Sequence, residues 1–491
     1  MSIDYHAILP ELLLAGTALL VLLVDLYVED GRSKVVANWL SLAGAVAASV
    51  ALATLVGKGT RSTFGGSFVV DNYALLFKGL FLGSLILVLL MSQRYVSQGM
   101  AYQGEFYFLV LSSFVGMLLM PSSRDLLMLF LSLEIVSATG FIAAGFRKDD
   151  ARSNEGALKF LLIGVLSTAV MLFGMSLVYG FTGSLRLDQI AAKLSTLGNE
   201  PAVVMAVFLV ITGFAFKVSA APFHFWAPDT YEGSPVPVAA YLSVASKAAG
   251  FAGLLQVTFV AFPSYSRYWA PAFAVLAAFT MLIGNVIALA QTNIVRLLAY
   301  SSVAQAGYML VPFAVGANGS AAARHEAFQA VLVYLLIYAF TNLGAFAVVT
   351  LVNQRQPGNL IADYAGLGRR NGPLALAMSF FLLSLAGIPP AAGWYAKLVV
   401  FKAAINGNRP GLTVLVVFMA VMTVVAFFYY LSIVGRMWLA DPPEDAPEGP
   451  ITASPTLGVA ITLATAGVIV LGVVPNLLVQ YAPVSTLVAS R

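Results

Sequence analysis

The sequence predicts an all-α polytopic membrane protein with about fourteen transmembrane helices. Of its 491 residues, 60% are hydrophobic and 10% are charged, which is typical of a chain that lies mostly in lipid. The hydrophobic residues also come in runs of about 20, the length that a helix needs to cross a bilayer. No linker divides these runs, so we expect one membrane domain over residues 1–491.

The candidate spans share this length and carry few charges. In chain order they cover about residues 7–28, 35–57, 73–93, 106–121, 126–146, 157–181, 202–232, 235–263, 268–290, 294–316, 326–353, 373–404, 411–439 and 455–480. The seventh and the twelfth are too long for one straight helix, and both contain internal prolines.

Helices 7 and 12 are predicted to be broken within the membrane. Residues 220–222 (AAP) interrupt helix 7, and residues 387–390 (GIPP) interrupt helix 12. A proline inside a helix removes a backbone hydrogen bond and clashes with the preceding turn. In lipid such a break persists only where protein or trapped water satisfies the freed carbonyl groups.

The spacing of the two breaks predicts an internal repeat. They lie five helices apart, and an odd number of spans inverts the second copy relative to the first. We therefore expect two inverted five-helix repeats, about helices 4–8 (residues 106–263) and helices 9–13 (residues 268–439).

Three segments are predicted to lie outside the bilayer. Residues 58–72 are compatible with a small hairpin, and residues 186–197 have the apolar spacing of a short interfacial helix. Residues 440–450 (ADPPEDAPEGP) are acidic and rich in proline, which predicts an exposed loop between the last two spans.

Composition argues against nucleic-acid binding and against redox chemistry in this chain. The net charge of +4 is spread over short loops without a basic block. Iron–sulfur clusters need thiolates and haem needs axial ligands, whereas this chain has no cysteine and three histidines. No glycine-rich nucleotide fingerprint follows a strand. We expect no metal, cofactor or redox centre in this chain.

Isolated lysines in hydrophobic stretches are the strongest functional signal. They are Lys159, Lys217, Lys247 and Lys397, of which Lys159 follows Arg152 and Glu155 and lies either in the proton path or near an interface. A charge at the centre of a bilayer costs roughly 2.5–3.5 kcal/mol, so such residues are normally paired or functional. Glu134, in the apolar run 126–145, is the obvious acidic partner. Buried bases with one buried acid predict a proton path.

Lys217 and Glu134 are predicted to form the switch of that path. Lys217 lies five residues before Pro222, where unwound backbone leaves room for a change of protonation. A nearby carboxylate favours the charged lysine, so an acid that approaches or retreats changes its proton affinity. The alternative is a static ion pair between two helices.

His224 is either a proton relay or a structural hydrogen-bond donor.

Lys247 and Lys397 are predicted to continue the path. Lys247 lies too deep to reach the interface, and small residues around it permit either close helix packing or a water-filled gap. Lys397 occupies the second broken helix and is the counterpart of Lys217. The polar groups deep in helix 10 are Tyr300, Ser301 and Gln305, which either carry water between the two lysines or only pair helices.

Three motifs resemble the antiporter-like, proton-pumping membrane subunits of respiratory complex I, a proton-translocating NADH-quinone oxidoreductase. They are FKVSAAPFHFWAPDTYEGSPVPVAAYLSVASKAAG (216–250), LLAYSSVAQAGY (297–308) and SLAGIPPAAGWYAK (384–397). The resemblance covers nearly the whole chain. Within the family, Lys397 favours the N type of subunit over the M type, whose pattern has a glutamate.

The resemblance implies a proton path through specific side chains. The matching positions here are Glu134, Lys217, Lys247, Lys397, His224, Lys159 and Tyr300. Many relatives carry histidine where this chain has Gln305, and a glutamine cannot titrate. A link between Lys247 and Lys397 would therefore depend on water.

The resemblance also implies partners. Electron transfer from NADH to quinone would occur in other subunits, which would hold the NADH, FMN, iron–sulfur clusters and quinone. The chain would contact other membrane-arm subunits on two opposite faces, in the cell (inner) membrane. With the N-terminus outside, about 11 Lys and Arg residues fall on the cytoplasmic side and about 9 opposite, which favours non-cytoplasmic termini.

The alternative is a subunit of a multi-subunit cation/proton antiporter. A sodium site would need several carboxylates or carbonyls at the midplane, and only Glu134 is a deep acid.

Overall fold

Helices that cross the molecule from one end to the other dominate the architecture. A computed structural model describes residues 3–27, 33–100, 102–316, 320–356, 359–407, 410–443 and 452–475. The helices are α1 (Leu9–Tyr27), α2 (Ser33–Ala53), α3 (Asn72–Gly99), α4 (Gln103–Leu119), α5 (Leu126–Ala144), α6 (Ala151–Thr182), α7 (Leu187–Leu194), α8 (Pro201–Lys217), α9 (Trp226–Gly233), α10 (Val236–Tyr241), α11 (Lys247–Gln256), α12 (Ser266–Ala288), α13 (Ile294–Leu310), α14 (Ala321–Asn353), α15 (Leu367–Arg370), α16 (Gly372–Ala386), α17 (Gly393–Asn406), α18 (Pro410–Leu439) and α19 (Pro455–Val473).

The predicted fourteen spans are confirmed for the described part of the chain. Twelve helical segments there are long and apolar enough to cross a membrane. The remaining two spans are the broken ones, α8 with α9 and α16 with α17. The eighth span is continuous over Val236–Ala261 and joins α10 to α11 through a π-helical turn.

Both helix breaks lie where the prolines predict them. The chain leaves helical geometry between α8 and α9 and again between α16 and α17, and the peptide bonds Ala221–Pro222 and Pro389–Pro390 in these gaps are cis. Gly387 ends α16 with φ +90°, a left-handed conformation that glycine adopts without steric cost.

Protein groups satisfy the backbone that the first break frees, as lipid requires. The indole Nε1 of Trp226 donates to the carbonyl of Phe216 (3.2 Å). The amide of Ala221 donates to Thr280 Oγ1 (2.9 Å), which ties the break to α12. The broken helix is therefore held from two sides.

One end of the bundle carries the predicted hairpin, and we call it the hairpin face. Strand β1 (Arg61–Thr63) pairs antiparallel with β2 (Phe68–Val70). Arg61 forms an ion pair with Asp4 (2.7 Å), and its hydrogen bonds hold the pKa of Asp4 below the usual value. The predicted surface helix is α7, and Arg186 just before it donates to the carbonyl of Gly65 (2.6 Å). Both expectations are confirmed.

The other end of the bundle, the opposite face, carries residues 145–150, 289–293 and 354–356. Because the number of spans is even, the first and the last span have their outer ends on the same face. The predicted acidic loop 440–450 lies mostly outside the described residues. The repeat boundaries 106–263 and 268–439 stay a prediction.

A buried ion pair that the sequence analysis missed joins α1 to α3. Lys78 Nζ lies 2.7 Å from Glu11 Oε1, with side chains 0% and 5% exposed. The same ammonium lies 4.7 Å from the ring centroid of Phe68. Two opposite charges in direct contact make this a structural pair, in contrast to the lysines described below.

We expect Lys78→Met to destabilise the protein strongly, because it leaves the Glu11 carboxylate buried without its partner. The free energy of unfolding should fall by about 3–5 kcal/mol, whereas Glu11→Leu with Lys78→Met should cost much less. Unfolding of the purified chain in detergent measures the stability of the single and the double variant.

Lys58→Met, a change at an exposed lysine of the hairpin face, is the matched control. Equal losses in the single and the double variant would contradict a charge-pairing role for Lys78.

Candidate functional site

The predicted switch brings Glu134 of α5 and Lys217 of α8 together without direct contact. Lys217 is the last residue of α8 and is 1% exposed. Its Nζ donates to Ser137 Oγ (3.1 Å), three residues after Glu134. The charge of Lys217 acts on Glu134, yet no ion pair joins the two within the described residues. One oxygen of Glu134, Oε1, is buried without a hydrogen bond there.

Glycine brings the helix of Lys247 against Lys217. Gly250 lies three residues after Lys247, and a Cβ at this position would lie 3.0 Å from Lys217 Cγ. The stem of Lys217 therefore packs directly on α11. At Gly250 the structure therefore shows close helix packing, one of the two alternatives for the small residues around Lys247.

Lys247 follows an irregular turn of the eighth span. Residues Leu242–Ser246 form a π-helical turn, a distortion that often accompanies functional sites. Lys247 is 2% exposed and donates to Ser302 of α13. Its Nζ also lies 5.8 Å from the ring centroid of Tyr231. Its neighbours in the described chain are thus a neutral oxygen and an aromatic face.

His224 lies in the break between α8 and α9 and is buried. The charge of Lys247 acts on it, so the histidine belongs to the same electrostatic environment. Its Nδ1 is buried and makes no hydrogen bond to the described residues. A ring nitrogen without a hydrogen-bond partner can accept a proton, which is what a relay requires.

A chain of polar side chains extends from α13 towards the second broken helix. Gln305 Nε2 donates to the carbonyl of Leu385 (3.2 Å) and to Tyr430 Oη (3.2 Å). Tyr334 donates to Gln305 Oε1, and Ser301 hydrogen bonds to Tyr430. We call these four side chains, Ser301, Gln305, Tyr334 and Tyr430, the polar bridge.

A small cavity lies beside the polar bridge. Its volume is about 10 Å³, and its polar lining comes from Gln305, Tyr334, Tyr338, Thr341 and Ser384. A polar cavity of roughly this size holds about one water molecule. The cavity also touches Ala396, the neighbour of Lys397 in sequence. Water is therefore a feasible component between α13 and α17.

Lys397 of α17 is 4% exposed and closes the second break. Its Nζ donates to the carbonyl of Ala386 (2.7 Å), the last residue of α16. That carbonyl is one of those that a helix end leaves without an intrahelical partner. The ammonium also lies 4.9 Å from the ring centroid of Tyr308. Lys217 precedes its break whereas Lys397 follows its own, so the two are not equivalent in position.

Lys159 differs from the other three lysines, since it is partly exposed and paired, in agreement with the alternative that it lies near an interface. Its side chain is 43% exposed and forms ion pairs with Glu155 (2.7 Å) and Asp229 (2.6 Å). Arg296 binds Asp229 (2.6 Å) and Glu232 (2.8 Å). These five residues form what we call the α9 ion-pair cluster. The sequence could not reveal it, because its members lie far apart in the chain.

The expected polar groups of helix 10 also need correction. Tyr300 is half-buried, and its ring centroid lies 6.0 Å from the guanidinium carbon of Arg296. Ser302, which the sequence analysis passed over, is the residue of α13 that contacts Lys247.

Residues of the described chain form no group of three or more His, Asp or Glu that could hold a metal ion.

Comparison with known proteins finds a family and individual relatives that agree with each other. The family described as "NADH:quinone oxidoreductase/Mrp antiporter, TM" matches residues 123–423. NADH-quinone oxidoreductase subunit N of Trichlorobacter lovleyi is 40% identical over 485 residues, covering 98% of this chain and 96% of the relative.

Solved structures agree in fold. A chain of respiratory complex I from Thermus thermophilus with bound aureothin is 33% identical with a TM-score of 0.79, covering 96% of this chain and 98% of that one. A chain of the Mrp complex from Dietzia sp. DQ12-45-1b has a TM-score of 0.82 at 21% identity, covering 97% and 96%. The second likeness shows the fold alone.

Proposed function

The chain belongs to the family of NADH:quinone oxidoreductase/Mrp antiporter membrane subunits, and from this premise we propose that it is a proton-translocating membrane subunit of an NADH-quinone oxidoreductase. It corresponds to the subunit that its relatives call N. Electron transfer from NADH to quinone takes place in other subunits, whose cofactors supply the free energy. This chain converts that energy into proton movement across the membrane.

The observation that carries the proposal is a set of three buried lysines without direct counter-ions, which we interpret as a row. Lys217, Lys247 and Lys397 each donate to a neutral oxygen, and within the described residues none forms an ion pair. Glu134 lies near one end of the row, with Ser137 beside Lys217. A row of this kind can exchange protons because no fixed partner holds each charge in place.

The change in proton affinity that proton pumping requires is small. Moving one charge against 100 mV costs about 2.3 kcal/mol, which corresponds to under about two pKa units. A change in the spacing of Glu134 and Lys217 shifts the proton affinity of Lys247 by interactions of this size. Lys397 then passes the proton to the far side, with water beside the polar bridge as the connecting medium.

Partners are expected on two opposite sides of this row. Glu134 on α5 and Lys397 on α17 lie at its two ends, where neighbouring polytopic subunits can sense or supply charge. His224 contributes as a relay near Lys247. Lys159 and Tyr300 lie near the opposite face, and we assign them to the proton path only through the α9 ion-pair cluster.

We expect Lys247→Ala to lower NADH-driven quinone reduction and proton pumping together, by at least about tenfold, since the residue transfers protons. A tightly coupled pump stalls when one step cannot turn over, so Glu134→Ala should act in the same direction. Membrane vesicles with the assembled complex and a pH-sensitive dye give both rates.

Lys402→Ala is the matched control, because Lys402 forms a surface ion pair with Glu326 (3.1 Å) and is 65% exposed. It should keep normal rates. Normal pumping by an assembled Lys247→Ala complex would refute the proposed role of the buried row.

The shared fold with the Mrp chain leaves the antiporter alternative to be tested directly. The purified chain alone in liposomes should neither oxidise NADH nor acidify the lumen under a sodium gradient, because it lacks an energy source and a cluster of deep acids. Dye-reported acidification under a sodium gradient, and then with NADH and quinone, tests both. Strong sodium-driven acidification would favour the antiporter.

We also propose that the hairpin face, and with it both termini, lies on the non-cytoplasmic side of the cell membrane. The chain has no cysteine, so single cysteines can be placed without background. Lys58 and Asp149 are exposed on the hairpin face and the opposite face. Lys58→Cys should react with an impermeant maleimide in right-side-out vesicles, and Asp149→Cys only in inverted vesicles. The reverse pattern would place the termini in the cytoplasm.

A further inference from the structure

The short helix α9 connects the surface of the opposite face to the centre of the membrane. Asp229 and Glu232 lie on its outer side, with side chains 27% and 24% exposed. Tyr231, between them in sequence, is fully buried and points inward. One eight-residue element therefore carries two surface acids and a core aromatic ring.

The outer side of α9 is fastened to two neighbouring helices. Arg296 of α13 binds both acids through the same nitrogen, Nη1, at 2.6 and 2.8 Å. Lys159 of α6 binds Asp229 at 2.6 Å. Elsewhere α9 lies close on α6, where Thr230 Oγ1 donates to the carbonyl of Gly156 (3.0 Å).

The inner side of α9 touches the proton path. The ring centroid of Tyr231 lies 5.8 Å from Lys247 Nζ, a distance at which an ammonium is attracted to an aromatic face. In a desolvated site this attraction stabilises the charged lysine more than it does in water. A displacement of α9 would move this ring and change the environment of Lys247.

We propose that Arg296 is a positioning residue for Lys247: through Asp229 and Glu232 it holds α9 in place, and α9 holds the ring of Tyr231 against the ammonium. This inference rests on the proposed function, since it concerns how Lys247 is held for proton transfer. Lys159 holds the same helix through Asp229, which gives this paired, partly exposed lysine a structural role.

The α9 ion-pair cluster lies where its ion pairs can be weakened. A cavity of about 640 Å³ opens beside it, and Glu232, Asn293, Arg147 and Arg152 contribute to its polar lining. Ion pairs that border water contribute little individually and are weakened by salt. The acids of α9 can therefore change partners at low cost, while Tyr231 and Lys247 stay buried.

The test is a double-mutant cycle in vesicles that contain the assembled complex. Arg296→Gln should lower coupled quinone reduction about fivefold, and Tyr231→Leu by a similar factor, since each removes one element of the same connection. Because Arg296 acts through Tyr231, the double variant should be no slower than Tyr231→Leu. Effects that multiply would show independent roles and overturn the proposal.

Conservative variants separate positioning from misfolding. Arg296→Lys keeps the charge and Tyr231→Phe keeps the ring, and each should retain more than half of the rate. Arg296→Lys as slow as Arg296→Gln would count against the ion pair. Arg267→Gln, at an exposed arginine of the hairpin face, is the control and should have no effect.

The outcomes also separate this inference from the proposed function. Normal pumping by Lys247→Ala refutes the function itself. Lys247→Ala without pumping, together with normal rates in Arg296→Gln and Tyr231→Leu, refutes only the positioning role. Every rate is divided by the amount of assembled complex, which is measured on native gels.

Discussion

An ammonium group buried in a bilayer must find hydrogen-bond acceptors, and the kind of acceptor decides what the lysine can do. Lys78 has a carboxylate in direct contact, which fixes its charge and makes the pair a fastening between α1 and α3. Lys217, Lys247 and Lys397 have a hydroxyl, a hydroxyl and a carbonyl. A neutral oxygen satisfies the hydrogen bond without neutralising the charge, so these three lysines can lose a proton without breaking an ion pair.

The irregular backbone follows from this requirement. Lys217 ends α8, Lys247 follows a π-helical turn, and Lys397 binds the carbonyl of Ala386 that the second break frees. A regular helix uses its own carbonyl groups and offers none to a neighbour, whereas an interrupted one does. The break in helix 12 thus supplies the acceptor of Lys397, whereas Lys217 and Lys247 use serine hydroxyls of neighbouring helices. Each break is held by protein contacts, and this explains how it persists in a lipid environment.

Features that depend on neighbours in sequence could be predicted, and features that depend on partners across the fold could not. Runs of apolar residues predicted the membrane spans, prolines predicted the helix breaks, and turn residues predicted the hairpin. The contact of Lys159 with Asp229 joins residues 70 positions apart, so no local pattern predicts it. Ser302 was left out of the predicted polar groups, because a sequence does not show which side of α13 faces Lys247. The apolar surroundings of Lys78 were a usable signal, equal to that of Lys397, and were overlooked.

Gln305 illustrates how a single side chain limits the mechanism. Its amide donates to Leu385 and Tyr430 and accepts from Tyr334, so the described structure uses both ends of the side chain. A neutral amide in these contacts orders the polar bridge but holds no additional proton. In the proposed proton path, charge therefore passes around Gln305, along the tyrosine hydroxyls or through water in the adjoining cavity of about 10 Å³. A space of this size holds about one water molecule and no continuous aqueous channel, so the proposed link depends on reorientation of side chains or water.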